Sequence, residues 1–250
     1  IRDMKEETKQ NILNSLVSGK SLTTVLSAKA KEFMFESVQN ELVTKYETDG
    51  WVVYKRYKTS IRMQRRKPMD MAFEDDVWTL FARMGFSFLN KDRNFRLPYS
   101  NDEKLTQQID IFVADEETIL IIECKVAGNP KQSNFKETIE AIGGKKEGLI
   151  TTIQQLFPDT KYKIKFIFAT KNYYLSEQDN ARLNNYGIIH FDEETLKYYR
   201  ELTKHLGTSA KYQLLGSIFE GQTIPELDNR IPAIKGKMGG YTYYSFSIEP

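Results

Sequence analysis

The chain has 250 residues, of which 40% are hydrophobic and 28% charged, a composition typical of a globular protein with a buried core. Its formal net charge of +2 excludes general polyanion affinity, so nucleic-acid binding would need a local cluster of basic residues. No run approaches the roughly 20 apolar residues of a membrane helix, and no signal-peptide pattern opens the chain. With one cysteine, Cys124, and two histidines, we expect no internal disulfide, no structural zinc site and a cytoplasmic protein.

Residues 1–50 are predicted to form an N-terminal helical extension. Apolar residues recur every three or four positions from Ala30 to Tyr46, which predicts an amphipathic helix that ends near Gly50. Residues 51–68 begin with aromatic and β-branched side chains and then become strongly basic. We predict a strand or ribbon that ends at Pro68.

A main domain is predicted over residues 51–207. After the strand or ribbon at 51–68, it continues with a helix that ends before Gly85. Two apolar segments between Gln107 and Lys125 then flank an acidic turn. Residues 131–157 predict a helix that is broken or kinked at Gly143 and Gly144.

The remainder of this domain alternates between strand and helix patterns. The predicted order is a strand at 162–170, a helix at 176–187, a strand at 188–192 and a helix at 193–207. Two strands joined by such a helix are typically parallel neighbours, whereas the preceding hairpin is antiparallel. The sequence therefore predicts an α/β fold with a mixed β-sheet flanked by helices, followed by a C-terminal extension or second module at 208–250.

The acidic hairpin contains a candidate active site. Folding it about a centre between Glu116 and Glu117 places Asp110 directly opposite Glu123, with Cβ atoms about 5 Å apart. Alternation along a strand puts Lys125 on the same face as Glu123. Two carboxylates at that separation repel each other, and Mg²⁺ would remove the penalty.

Glu74 lies near the middle of the apolar face of the helix before the hairpin, whereas Asp75 and Asp76 are predicted to point away from that face. A buried, unpaired carboxylate is costly, so Glu74 requires a partner. Two alternatives follow, namely contact with a metal site or a buried pair with an arginine.

The pattern formed by Asp110, a spacer of 12 residues and Glu123-Cys124-Lys125, preceded by a helical Glu74, resembles the PD-(D/E)XK nuclease superfamily. It is most similar to the Mrr-like restriction endonuclease branch, whose closing strand–helix–strand unit the segment "FIFATKNYYLSEQDNARLNNYGIIHFDEETL" resembles. The resemblance covers roughly residues 70–200. Ile109 stands where the superfamily name has proline, and no Gln-x-x-x-Tyr motif follows Lys125.

The resemblance implies a restriction-endonuclease-like fold and a Mg²⁺-dependent DNA endonuclease, with Mn²⁺ as a substitute metal. Asp110, Glu123 and the backbone carbonyl of Cys124 would hold the metal, and Lys125 would orient or help deprotonate the attacking water. Glu74 completes the implied catalytic set. The implied partner is double-stranded DNA, the protein could be a homodimer, and its role would be bacterial restriction, DNA modification or phage defence.

A basic segment at 55–67 contains no acidic residue and predicts a local phosphate-binding surface. Its predicted DNA contacts are Lys55, Arg56, Lys58, Arg62, Arg65, Arg66 and Lys67, with Lys145 and Lys146 as further candidates. The alternative interpretation is a solvated basic edge strand that discourages aggregation.

The tail "RIPAIKGKMGGYTYYSFSIEP" resembles the opening of DGQHR-domain proteins, which are associated with DNA phosphorothioation and defence islands, although the DGQHR motif itself is absent. Two further hypotheses remain beside an active nuclease. One is a catalytically silent nuclease fold that binds DNA as a regulatory module. The other is a structural core in which Glu123 and Lys125 form an ion pair.

Overall fold

A computed structural model describes residues 3–219, 233–238 and 241–246. The backbone divides into two units, Ile1–Ala210 and Lys211–Pro250, and the first contains both the main sheet and the candidate site. No helix in the described residues is long and apolar enough to span a membrane.

The main sheet of the first unit is mixed, as the sequence predicts. Antiparallel pairs join β1 to β5, β5 to β8 and β8 to β9, whereas β9, β10 and β11 run parallel. In spatial order its strands are β1 (Leu16–Val17), β5 (Phe88–Asn90), β8 (Ile111–Ala114), β9 (Thr118–Gln132), β10 (Lys163–Tyr174) and β11 (Ile188–Phe191). The parallel pairs arise because a helix separates β9 from β10 and another separates β10 from β11.

Helices cover both faces of this sheet, which confirms the predicted fold class. The helices of the first unit are α1 (Glu6–Asn14), α2 (Gly19–Lys29), α3 (Val43–Thr48), α4 (Met69–Arg83), α5 (Lys136–Leu156), α6 (Glu177–Tyr186) and α7 (Glu193–Leu206). A further helix, α8 (Ala210–Ile218), belongs to the second unit except for its first residue. Apolar residues of α5 and α6 share one buried cluster with Phe112, Ile121 and Phe168. From the other side, α4 contacts β8, β9 and α7, and α7 contacts β10.

The predicted helix ends are present where local signals mark them. The Ser176 side chain accepts a hydrogen bond from the Asp179 amide at the start of α6, and Gly187 ends that helix with φ of 61°. Asp192 caps α7 in the same manner. Gly85 follows α4 with φ of 89°, a left-handed conformation that favours glycine.

The amphipathic helix predicted from Ala30 to Tyr46 is wrong for most of its length. Phe33–Val38 forms strand β2, which pairs antiparallel with β4 (Ile61–Arg66), and β4 pairs with β3 (Val52–Arg56). Within the predicted span, the α-helix begins only at Val43. The pairing with β4 overrides the local periodicity because it buries Val38 beside Ile61 and Met63. The boundary predicted after residue 50 therefore falls inside a three-stranded sheet.

The helix predicted over 131–157 is shorter than expected and has no break. Strand β9 continues to Gln132, and α5 then runs unbroken through Gly143 and Gly144. Glycine at position 143 allows close packing, because a Cβ atom there would lie 2.3 Å from the Tyr186 ring. Two short strands, β6 (Arg96–Pro98) and β7 (Thr106–Gln108), form a separate antiparallel pair before the main hairpin.

In the second unit, the described part of the tail is an antiparallel pair of strands, β12 (Ala233–Met238) and β13 (Tyr241–Phe246). The remaining residues of the sequence that resembles DGQHR-domain proteins lie outside the described ranges.

Candidate active site

Asp110 and Glu123 occupy opposite positions on β8 and β9, as the hairpin spacing predicts. The register pairs Ile111 with Ile122, and its extension by one residue places Asp110 across from Glu123. Glu123 lies on the sheet face that packs against α5, since Ile121, two residues before it on β9, belongs to the buried cluster shared with that helix. The hairpin therefore brings two acids together where β8 begins.

The position of Asp110 disfavours the ionised form of its carboxyl group. Burial, followed by the charge of Glu123, raises its carboxyl pKa from 3.8 to about 6. Its Oδ2 atom accepts a hydrogen bond of 2.8 Å from the backbone N–H of Cys124. This hydrogen bond and the positive charges of Lys125 and Arg93 oppose the increase in the pKa of Asp110.

Lys125 contacts the second acid directly. Its Nζ atom donates a hydrogen bond of 2.6 Å to Oε1 of Glu123. Burial alone would lower the pKa of Lys125, but the charge and hydrogen bond of Glu123 outweigh it, and the pKa is raised. Lys125 is therefore protonated and positively charged beside the two carboxylates.

Glu74 has an arginine partner, which corresponds to the second alternative for this residue. Arg93 Nε donates to Oε2 of Glu74 at 2.6 Å, and Nη2 donates to Oε1 at 2.7 Å. Burial raises the pKa of Glu74, the hydrogen bond to Arg93 opposes that increase, and the negative charge of Asp110 adds to it. Glu74 is thus electrostatically coupled to Asp110 although its own charge is neutralised by Arg93.

Asp75 is buried, although it was predicted only to point away from the apolar face of α4. It is only 5% exposed and forms ion pairs of 2.6 Å with both Lys29 and Lys67. Lys29 of α2 and Lys67, the residue after β4, cover the side of α4 that carries Asp75. The periodicity of α4 itself does not reveal this coverage. Asp76 is more exposed and pairs with Arg200 of α7.

Two residues at the site, Arg93 and Asn90, were not predicted from the sequence. The buried Asn90 side chain donates a 3.1 Å hydrogen bond to the Asp110 carbonyl and accepts one of 2.9 Å from the Phe112 N–H. Asn90 therefore holds the start of β8, including the backbone of Asp110, against β5. Asn90 ends the short strand β5 and Arg93 lies in the irregular segment that follows, where the only available signal was a polar residue at the end of an apolar segment.

Cys124 contributes its backbone to the site. Its thiol faces away from Glu123 and Lys125, and burial raises the thiol pKa well above its ordinary value, which argues against a nucleophilic thiolate. In an extended strand the N–H and C=O groups of one residue point toward the same neighbour. Because the Cys124 N–H points to Asp110, its carbonyl is directed to that side as well.

The oxygen donors fit a hard cation. The carboxylates of Asp110 and Glu123 and the carbonyl of Cys124 match the ligands that Mg²⁺ or Mn²⁺ takes together with water and phosphate oxygens. In the described part of the chain, no three or more His, Cys, Asp or Glu side chains form a group that could hold a metal. A metal here would depend on two side chains, a backbone group and external ligands.

The predicted DNA-contact residues fall into two groups. Lys55, Arg56 and Lys58 are exposed on β3 and the following turn, and Arg62 and Arg65 on β4 are half-buried. Arg66 forms an ion pair of 2.7 Å with Glu32 on the surface.

The other group is engaged inside the fold. The Lys67 side chain is 7% exposed, binds Asp75 and donates to the Lys29 carbonyl. Lys145 donates to Gln107 Oε1 at 2.6 Å, and Lys146 donates to the Tyr186 carbonyl at 2.7 Å. These three lysines have structural partners that explain their positions without DNA.

His190 lies on β11, and its Nε2 atom is 2.8 Å from the Thr170 hydroxyl. Burial lowers the pKa of His190, which favours a neutral ring. His190 therefore has a structural environment in a half-buried strand.

Comparison with known proteins assigns no family. No family model matches the chain, and no curated protein matches it. The chain is similar to the crystal structure of protein VC1899 from Vibrio cholerae, with 12% identity and a TM-score of 0.37 over 84% of this chain and 58% of that one. It is also similar to AF1548, a protein of unknown function, with 16% identity and a TM-score of 0.38 over 52% of this chain and 66% of that one. The chain spans less than two thirds of each protein, and similarity at this level supports no functional argument.

Proposed function

We propose that the chain is a Mg²⁺-dependent DNA endonuclease that hydrolyses phosphodiester bonds, with Mn²⁺ as a substitute metal. The observation that carries this proposal is the juxtaposition of Asp110 and Glu123 across the hairpin, with the Lys125 ammonium bound to Glu123. Two neighbouring carboxylates are an unfavourable arrangement for a purely structural site, since burial and then the charge of Glu123 raise the pKa of Asp110.

The residues can supply what hydrolysis of a phosphodiester requires. Asp110, Glu123 and the Cys124 carbonyl would hold Mg²⁺, which when bound would supply Lewis-acid stabilisation of the phosphate oxygens. Lys125 would orient the attacking water and stabilise the negative charge that develops on the phosphate. An ammonium cannot ligate a cation, so the role of Lys125 is separable from metal binding.

Glu74 has a positioning role in this proposal. It holds Arg93 by two hydrogen bonds, and the positive charge of Arg93 lowers the pKa of Asp110. Glu74 would therefore act on Asp110 through Arg93 and through its own charge, without contacting the substrate.

The proposed partner is DNA, contacted by the exposed and half-buried residues of the basic segment. Lys55, Arg56, Lys58, Arg62 and Arg65 are retained for this role, and Arg66 is retained despite its surface pair with Glu32. Lys67, Lys145 and Lys146 are left out because their ammonium groups bind protein oxygens. The resemblance of the sequence to Mrr-like enzymes suggests a role in bacterial restriction, DNA modification or phage defence, in the cytoplasm and as a monomer or homodimer.

One observation favours a second candidate, a catalytically silent DNA-binding module. Lys125 compensates the charge of Glu123, and Arg93 compensates that of Glu74. These ion pairs reduce the need of the carboxylates for a metal ion, and a fold that has lost its enzymatic activity would retain them.

Incubation with supercoiled plasmid and Mg²⁺ or Mn²⁺, against an EDTA control, distinguishes the two candidates. We expect cleavage that requires metal, and we expect Mg²⁺ to raise the melting temperature of the wild type but not of Asp110→Asn. Lys125→Ala should retain that thermal shift and the DNA affinity, yet cut at least about 10²-fold more slowly. Lys197→Ala, an exposed lysine on α7, is the matched control and should cut normally.

The result that overturns the nuclease proposal is equally specific. If neither modified nor unmodified DNA is cut with either metal, the silent module replaces it. If DNA is cut and Lys125→Ala cuts equally well, the role assigned to Lys125 is wrong.

A further inference from the structure

The outer face of the three-stranded sheet formed by β2, β3 and β4 combines aromatic and basic side chains. Ile61 and Met63 of β4 point into the small apolar cluster beneath the sheet, so Arg62 and Gln64 point outward. The register places Phe35 of β2 opposite Gln64 and Lys55 of β3 opposite Arg62. We call this surface, formed by Phe35, Tyr54, Lys55, Arg62 and the adjacent Lys31, the aromatic–basic face.

Its two aromatic rings meet above the central strand. The Phe35 and Tyr54 rings contact edge to face, with centroids 5.1 Å apart, although β4 separates their strands. Tyr54 remains 55% exposed. The Arg62 guanidinium lies 4.8 Å from the Phe35 centroid, and the Lys31 ammonium lies 5.9 Å from it. These residues line an open groove of about 390 Å³.

The charges of this face lack internal compensation. Lys55 and Arg62 are direct cross-strand neighbours, and like charges in that arrangement repel each other. Among the residues that the structure describes, no carboxylate forms an ion pair with Lys55, Arg62 or Lys31. Glu32 also lines the groove, but its carboxylate pairs with Arg66. An anion placed between Lys55 and Arg62 would relieve the repulsion, so the face is complementary to a phosphate.

We infer that the aromatic–basic face binds single-stranded DNA, with an unpaired base stacked on Tyr54 or Phe35 and a neighbouring phosphate between Lys55 and Arg62. Aromatic rings on a sheet surface next to basic residues are the combination that captures single strands, because every unpaired base offers a π face. In a duplex those faces are stacked on one another, so a paired base cannot use the rings. The choice of DNA over RNA rests on the proposed function, whereas stacking itself requires neither metal nor hydrolysis.

Fluorescence anisotropy in EDTA tests this binding apart from any cleavage. The probe is a labelled oligothymidylate of about 12 nucleotides, within the usual site sizes for such surfaces. We expect Tyr54→Ala and Phe35→Leu each to weaken binding by about fivefold or more, the loss typical of one stacking contact. Tyr54→Phe retains the ring and should bind as the wild type does. Tyr198→Ala removes a 51% exposed ring from α7 and is the matched control.

Three results would overturn the inference. The first is unchanged affinity in both ring-removal variants whose thermal melting shows an intact fold. The second is tighter binding of a duplex of the same length, and the third is tighter binding of the matching ribo-oligonucleotide. A protein that binds the oligothymidylate through Tyr54 but cuts no DNA with metal would confirm the face and refute the proposed nuclease, so the two failures are distinguishable.

Discussion

Both carboxylate oxygens of Glu74 accept hydrogen bonds from Arg93, at 2.6 and 2.7 Å, and this pair connects α4 to the segment between β5 and β6. Glu74 is 8% exposed, so the arginine compensates a carboxylate that would otherwise be buried alone on an apolar helix face. Asp70 accepts a further hydrogen bond of 2.8 Å from the same guanidinium.

Replacement of Arg93 alone should therefore destabilise the protein more than replacement of both Arg93 and Glu74. We expect Arg93→Met to lower the free energy of unfolding by about 1–3 kcal/mol, because it leaves Glu74 buried without a counter-charge. The double variant Glu74→Gln/Arg93→Met should recover part of that loss. Urea denaturation of the wild type, Glu74→Gln, Arg93→Met and the double variant would measure it. Purely additive effects would show that the two side chains do not depend on each other.

The functional role of Glu74 needs a control other than Asp75, whose ion pairs are structural. Asp76→Asn is suitable, since Asp76 lies on the same helix and forms a more exposed pair with Arg200. Glu74→Gln should reduce metal-dependent cleavage more than Asp76→Asn does. Equal rates in the two variants would limit Glu74 to a structural role.

Asp110 should make the stability of the metal-free protein depend on pH. Its native-state pKa of about 6 lies above the ordinary value of 3.8, so the native state retains a proton that the unfolded chain releases between these values. The stabilisation that this bound proton contributes is complete below about pH 4 and is lost as the pH rises through about 6. In EDTA at about pH 7.5, Asp110→Asn should therefore be more stable than the wild type, by at most about 3 kcal/mol.

Thermal melting across this pH range provides the measurement. The advantage of Asp110→Asn should vanish near pH 4, whereas Asp159→Asn, a change at an exposed loop acid, should follow the wild type throughout. If Asp110→Asn is less stable than the wild type at neutral pH, the ionised Asp110 does not destabilise the metal-free protein, and the prediction is wrong.

Lys67 and Arg62 are both basic residues of one segment, yet they should have opposite phenotypes. Lys67→Gln breaks a buried ion pair with Asp75 and should lower stability by about 1–3 kcal/mol with little effect on DNA affinity. Arg62→Gln should leave stability nearly unchanged, weaken DNA binding and reduce the salt dependence by about one unit of slope. Salt titrations of DNA binding measure the affinity and its salt dependence, and urea denaturation measures the stability. Equal changes of both quantities in the two variants would contradict the prediction.

Two glycines of α5 offer a matched pair for stability. Gly144 is exposed and a Cβ atom there would meet nothing within 4 Å, so Gly144→Ala should stabilise the protein by about 0.5–1 kcal/mol. At position 148 a Cβ atom would lie 1.8 Å from the Tyr99 carbonyl oxygen, and Gly148→Ala should destabilise the fold despite the same gain in helix propensity. Stabilisation by both changes would show that Tyr99 does not pack against α5 at this distance.

Sequence by itself determined the features that depend on neighbouring residues. The number of residues around the acidic turn sets the hairpin register, so the spacing alone is sufficient to pair Asp110 with Glu123. Ser176, Gly187 and Asp192 mark helix ends through hydrogen bonds and dihedral angles that span three or four residues. The order of strands and helices then predicted that β10 and β11 are parallel neighbours.

Only the tertiary structure decided which distant groups would meet. Phe33–Val38 is a strand because β4 lies beside it, and Glu74 is neutralised because Arg93, 19 residues away, reaches it across the end of the sheet. Asp75 is buried because α2 covers it with Lys29, and Gly143 allows close packing where an isolated helix would be weakened. Each outcome depends on which surfaces pack together in three dimensions, and helical or strand periodicity in a local segment carries no information about a partner that is remote in the sequence.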